Sequence, residues 1–208
     1  MNAPASGPEA LVRDILQGLA EGRYVPGQRL AEPDLMARHG VGRSTVREAL
    51  GRLAAAGLVT LAPHRGAQIR WLSRRGAADV LRVAQPLLAL AARQAAEAVA
   101  AGADPAPLVQ AATAYDAATA DRPRARARYY RALIQLAGNA ELDRLLPLLQ
   151  THLVRAQVRQ GRPAGQRAHI VAAIAAGRAD QAAAAAHAHV GGLLAALPDL
   201  PDSAFAPA

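Results

Sequence analysis

Residues 41–54, Gly-Val-Gly-Arg-Ser-Thr-Val-Arg-Glu-Ala-Leu-Gly-Arg-Leu, constrain the fold more than any other stretch of the chain. Val46, Leu50 and Leu53 recur at helical spacing and define one apolar face, so the segment predicts a short amphipathic helix. Arg43, Ser44, Thr45 and Arg47 crowd its first turn and a half, away from that face or along its edge. Such a helix, anchored on one side, suits the DNA major groove. Arginines read guanine edges or grip phosphate, while hydroxyls and N-terminal amides bind phosphate oxygens. An ordinary amphipathic helix with a solvated basic face is the alternative, and this stretch alone does not choose. The flanking residues do.

Upstream, Leu11, Ile15 and Leu19 repeat every four residues and predict a first helix over about 9–22, ending at Gly22. Residues 24–30 contain a Pro26-Gly27 turn, and Glu32 to His39 predict a short second helix with Leu35 and Met36 inward. Gly40-Val41-Gly42 is the tight turn into the arginine-bearing helix. Downstream, residues 57–61 and 67–71 are β-type runs joined by Ala62-Pro63-His64-Arg65-Gly66, a turn with a basic tip. Helix, helix, turn, helix and hairpin make a winged helix-turn-helix.

The detail resembles a known family. Pro26-Gly27-x-x-Leu30-x-Glu32, Gly40-Val41-x-Arg43-x-x-Val46-Arg47-Glu48-Ala49-Leu50, Leu53-x-x-x-Gly57-Leu58-Val59 and Arg65-Gly66 are similar to the amino-terminal domain of GntR-type bacterial transcription regulators. The resemblance spans about residues 9–72, in order and at the right spacing. It implies binding of a pseudo-palindromic double-stranded DNA operator as a homodimer. Arg43, Ser44, Thr45 and Arg47 become recognition-helix residues, and Arg65 with Gly66 the wing tip entering the minor groove. Two positions depart from the family pattern. Pro33 stands where an arginine contacting phosphate is common, and Gly42 where serine or threonine is usual. Both departures shift the expected affinity onto Arg43, Arg47 and Arg65.

Composition sets bounds. The 208 residues suffice for two small domains with separate cores. All 24 basic residues are arginine, against 16 acids, for a formal charge of +8. The excess is +3 over residues 1–72 and +5 over 73–208, so charge alone does not single out a DNA-binding half. Without cysteine there is no disulfide, thiolate chemistry or zinc-thiolate site. Residues 1–8 read as a flexible tail lacking an apolar signal core, and no apolar run approaches the roughly 20 residues of a membrane span. A cytoplasmic protein with no membrane partner is the expectation.

After Trp71 the chain becomes alanine-rich, with leucines at helical spacing and breaks at Gly102, Pro105, Pro123, Gly138, Gly161, Pro163 and Gly177. About six helices are expected, over 73–101, 105–119, 122–137, 139–160, 163–176 and 179–196. Aromatic residues make up only 3% of the chain, so Leu and Val stripes must supply most of the core. Residues 198–208, with three prolines, read as a second flexible tail. The fold class is mostly α: a winged helix-turn-helix over 9–72, then an all-helical bundle over 73–197.

The helical half resembles the effector-binding domain of the FadR branch of the same family, nearer its shorter, vanillate-regulator-like subgroup. Tyr129-Tyr130-Arg131-Ala132-Leu133-x-x-x-Ala137-Gly138-Asn139-x-x-Leu142 carries the likeness, together with Ile170-x-x-Ala173-Ile174-x-x-Gly177-Arg178-x-x-x-Ala182 and His189-Val190. Many members of that branch bind a divalent metal through one aspartate and three histidines. Carried over by position, those ligands fall on Arg126, Tyr130, Arg167 and His189. Guanidinium groups have no lone pair and repel a cation, so the resemblance implies no metal and no cofactor here. It implies instead an anionic effector, such as a small organic acid, held by Arg126 and Arg167 in bidentate geometry with Tyr130 and His189 assisting. Against this stands a solvated arginine run at 122–131, and the remaining histidines leave a rebuilt metal site as an alternative. No enzyme is expected, since no convincing nucleophile–base set, paired carboxylates or phosphate loop is present. A ligand-responsive regulator, expected to repress, competes with an effector-independent or architectural DNA binder.

Overall fold

In the computed structural model, which describes residues 7–62, 66–149, 154 and 165–206, helices dominate and one small sheet lies in the amino-terminal third. Helix α1 (Pro8–Ala20) opens with proline at its first position, where no intrahelical N–H is needed, and buries Leu11, Ile15 and Leu19. Helix α2 (Glu32–His39) is one short amphipathic stretch ended by Gly40, whose φ of 62° lies in the left-handed region. That residue's N–H bonds back to the Met36 carbonyl at 2.9 Å, and the chain turns sharply into α3 (Arg43–Ala55). Helix α3 buries Val46, Ala49, Leu50 and Leu53 against α1, α2 and the sheet.

The sheet has three antiparallel strands in the order β1 (Arg29–Leu30), β3 (Gly66–Ile69), β2 (Val59–Ala62). Arg29 pairs with Gln68, Val59 with Ile69, and Ala62 with Gly66. The hairpin is where the periodicity places it, although its strands run 59–62 and 66–69 rather than 57–61 and 67–71. Strand β1 is new. The sequence reads there only as a Pro-Gly turn, and two residues are too few to show alternation. The turn delivers Arg29 and Leu30 to the free edge of β3 and partly covers it.

The helical half is built on α4 (Arg74–Ala100), whose 27 residues span roughly 40 Å. Ser73 caps it, accepting from the Gly76 N–H at 3.1 Å. Along α4 pack α6 (Arg122–Ala137), α8 (Gly165–Ala175) and, most extensively, α9 (Ala179–Ala196); α5 (Ala106–Ala117) lies against α6 and α8. The expected single helix over 139–160 does not continue. Helix α7 (Ala140–Leu145), capped by Asn139, gives way to a 3-10 turn over Leu146–Leu149, because Pro147 offers no backbone N–H to a continuing α-helix. Most of the remainder of that expected helix lies outside the described residues.

The expected carboxyl-terminal tail also differs. Residues 198–206 fold back along the molecule, burying Leu200 and Phe205, with a 3-10 turn at Asp202–Ala204. Leu and Phe side chains among the prolines have an apolar seat beside Leu72, which outweighs the turn-rich composition. Among the described residues no helix is long and apolar enough to cross a membrane.

Leu53 is 1% exposed and anchors α3 from beneath. Replacing it with alanine should lower unfolding stability by about 2–5 kcal/mol, read as a reduced urea midpoint at unchanged slope. A change below about 1 kcal/mol would show that α3 is held by other contacts.

Candidate functional site

The buried face of α3 fixes which of its side chains face outward. Arg43, Ser44 and Arg47 are exposed, Thr45 is half-buried, and all stand in the first turns beyond Gly42. Gly42 caps the helix without a side-chain bond, so the first backbone N–H groups of α3 receive nothing from it. The two arginines converge on one carboxylate. Arg47 donates through Nε to both oxygens of Glu32 at 3.1 and 3.3 Å, and Arg43 Nε lies 3.5 Å from Oε2. A guanidinium held at Nε keeps the four N–H donors of its terminal nitrogens, so Glu32 orients both forks without exhausting them. Glu32 belongs to the family-like motif in the sequence, but its pairing with both arginines depends on how α2 packs on α3.

Between α3 and the hairpin lies a groove of about 190 Å³ lined by Glu32, Arg47, Leu50, Leu61, Ala62, Gly66 and Ala67. Gly66 opens β3, and the Arg29 guanidinium runs beside it, 3.8 Å from where a Cβ would stand. Arg29 is a basic residue of this surface that sequence reasoning missed, since it reaches the wing only through β1. The expected wing-tip Arg65 lies outside the described residues, together with Pro63 and His64. Pro33, exposed in the first turn of α2, offers no charge to the same surface.

In the helical half, Arg167 is 3% exposed on α8. It forms an ion pair with Asp116 at the end of α5, and its guanidinium lies 4.0 Å from the centre of the Tyr115 ring. Arg122 approaches the same ring at 5.1 Å. Tyr115 then leads to Tyr129 at 6.1 Å, and Tyr129 meets Tyr130 edge-on at 5.0 Å. The Arg167 Nε is buried with no hydrogen-bond partner among the described residues. Of the four expected effector residues, then, Tyr130 and Arg167 belong to one cation–aromatic cluster. His189 is buried on α9. Arg126 donates across the domain boundary to the Ala20 carbonyl at 3.4 Å. Asp116 and Tyr115 were missed because neither forms a motif. Their place beside Arg167 comes from the packing of α5 on α8.

The four positions do not form a donor set for a divalent metal. His189 alone among Arg126, Tyr130, Arg167 and His189 is a ligand type for such an ion, and the described residues contain no group of three or more His, Asp or Glu able to hold one.

The two halves meet where α1 ends. Gly22, with φ 76°, turns the chain so tightly against Pro123 that a Cβ would sit 3.0 Å from the ring. Arg124 lies 3.7 Å from Glu21, which also accepts from Gln17 at 2.9 Å and pairs with Arg23 at 3.4 Å. The Gln17 hydrogen bond first, then the charges of Arg124 and Arg23, hold the Glu21 carboxyl below its ordinary range against the opposing effect of burial. Arg23, bonded to Asp14, is correspondingly harder to deprotonate.

The amino-terminal domain matches a family model at residues 9–69, under a third of the chain, "Bacterial regulatory proteins, gntR family". No curated protein matches the chain. Among solved structures, the chain is similar to a protein described as a GntR transcriptional regulator from Rhodococcus sp. RHA1. The two share 22% identity over 93% of this chain and 98% of that one, with a TM-score of 0.73. It is also similar to E. coli McbR/YncC, at 18% identity over 96% and 99% of the two chains and a TM-score of 0.78. These likenesses extend the shared fold across both halves.

Because the folded-state pKa of Glu21 is depressed, its contribution to stability is present above the ordinary glutamate range and is lost as pH falls through the lowered value. Between about pH 5 and pH 3 the wild type should therefore lose melting temperature faster than Glu21→Gln. Parallel curves would remove Glu21 as a source of acid sensitivity. Together, residues 9–69 form a winged helix-turn-helix that matches the gntR-family model and presents Arg43, Ser44 and Arg47 on its outer face.

Proposed function

We propose that this chain is a GntR-type transcription regulator of the FadR branch, a cytoplasmic homodimer that reads a pseudo-palindromic operator. The observation that carries the reading is the outward row Arg43, Ser44 and Arg47 on α3, beside a groove walled by the hairpin. Base edges in the major groove suit the two arginine forks, and phosphates suit Ser44, the α3 N-terminus and Arg29. One such helix reads only a few base pairs, which calls for two copies on two half-sites, joined through the helical halves. Repression is the proposed sense of regulation.

The helical half is proposed to bind a small organic acid without metal, at Arg167 and Tyr130, with His189 and Arg126 contributing. Support comes from the buried Arg167, whose Nε lacks a partner among the described residues and whose guanidinium stacks on Tyr115. An incoming carboxylate must displace Asp116 or share the guanidinium with it, since Asp116 already balances the charge. That internal balance favours a second reading, in which the domain binds no effector and the chain is a DNA binder of fixed affinity.

Selection of a preferred duplex from a random pool, followed by titration of variants, tests the DNA reading. Arg43→Ala and Arg47→Ala should each weaken binding by about 1–3 kcal/mol, and Arg65→Ala by less. Wild-type affinity in all three, at matched salt, would overturn the recognition-helix assignment. A monomer at micromolar concentration that binds DNA one-to-one would overturn the dimer.

A melting screen of small carboxylates separates the two readings of the helical half. One of them should raise the melting temperature of the wild type but not of Arg126→Ala/Arg167→Ala. A shift that survives in the double variant would place the site elsewhere. A silent screen would favour the fixed-affinity reading, and about one metal per chain by elemental analysis would overturn the metal-free one.

A further inference from the structure

Residues 70–73 link β3 to α4: the Arg70 N–H donates to the Leu58 carbonyl at 3.0 Å and Ser73 caps α4, so a hinge at Trp71 and Leu72 between them would leave the two halves free to swivel. The carboxyl-terminal segment grips them instead. Arg74, the first residue of α4, donates to the carbonyls of Leu197, Pro198 and Leu200, and pairs with Asp202 at 2.7 Å. Its guanidinium also covers the Phe205 ring at 4.5 Å. Beyond it, the Trp71 indole N–H donates to the Ala204 carbonyl at 3.3 Å, and the Ala206 N–H donates to the Leu72 carbonyl at 3.0 Å. Leu72, Leu197, Leu200 and Phe205 are all at most 6% exposed. The contacts fall on successive linker residues, not on one.

We propose that residues 197–206 are a strap that locks the interdomain linker and ties the end of α9 to the orientation of the DNA-reading half. Arg74 is its buckle. Three carbonyls at and beyond the end of α9 converge on one guanidinium, which is a planar fork suited to several acceptors at once. The strap begins where α9 ends, and α9 runs along α4 carrying the buried His189. A displacement of α9 along α4 therefore pulls on Trp71 and Leu72 directly. The regulatory consequence rests on the proposed regulator function. The mechanical claim does not.

The chain has no cysteine, so a spin-label pair can be placed cleanly by Arg13→Cys on exposed α1 and Gln110→Cys on exposed α5. The intact strap should give one narrow distance distribution, with slow amide exchange over residues 70–76. Truncation after Leu197 should broaden the distribution and speed that exchange at least tenfold. Phe205→Ala and Trp71→Phe, which leave the α9 end in place, should do the same to a smaller degree. Unchanged distances and exchange in folded truncated protein would overturn the strap. If truncation prevents folding, the two point variants decide by the same readouts. Duplex binding is measured alongside: wild type that binds no DNA sinks the regulator reading, while the distance and exchange data still judge the strap.

Discussion

The seam between α4 and α9 is the contact on which the remaining helical packing is mounted. The buried surface of α4 is mostly alanine: Ala77, Ala84, Ala91, Ala92, Ala95 and Ala96 are all fully buried. Alanine contributes little apolar area per residue, but it lets helix backbones approach closely and keeps many atoms in dispersion contact. Larger side chains enter only at intervals, as Leu81 and Leu88 on α4 and Val190 and Leu193 on α9. A core so poor in aromatic residues tolerates little expansion along this line. Gly191 makes the point locally, since a Cβ there would meet the Gln85 amide at 3.2 Å.

The sequence makes most of this architecture legible where a period is long enough to count. Leu11, Ile15 and Leu19 mark α1, Val46, Leu50 and Leu53 mark α3, and the boundaries of α6 and α9 agree with the Gly and Pro breaks around them. What escaped has no period. Strand β1 is two residues long and exists through its partner. The segment after Leu197 looks like a tail because prolines dominate it, while its anchors, Leu200 and Phe205, are single residues whose seats are made by distant Leu72 and Arg74. The candidate site divides in the same way. The outward arginines of α3 follow from its apolar face, whereas the pairing of Glu32 with both of them, and of Asp116 with Arg167, follows from helix packing.

Arginine serves as the only fixed cation in this chain, and its surroundings separate its uses. Arg43 and Arg47 are mostly exposed and share one carboxylate, so their pairing is weak in water and readily exchanged for another acceptor. Arg167 is nearly inaccessible, with one carboxylate and one aromatic face, so removing Asp116 leaves a buried charge without its counter-ion. Arg74 stands between these cases: it bonds neutral carbonyls and an exposed aspartate while its planar group packs on a ring. Lysine, a compact and strongly hydrated point charge, could not reproduce the last two arrangements.

The amino-terminal half is thus attached at two separate places. One is polar and lies at the end of α1, where Arg124 and Arg126 of α6 reach Glu21 and the Ala20 carbonyl and Pro123 presses on Gly22. The other is the linker, gripped from the end of α9. Two attachments define an orientation where one would define only a pivot. Both helices that provide them pack on α4, and α6 also carries Tyr129 and Tyr130 of the cluster around Arg167. A change in the spacing of α6 and α9 on α4 therefore acts on the two attachments from opposite ends of the first domain's chain. Any ligand that binds the bundle differently in two such spacings would shift the orientation of α3 by its difference in affinity, and by no more than that.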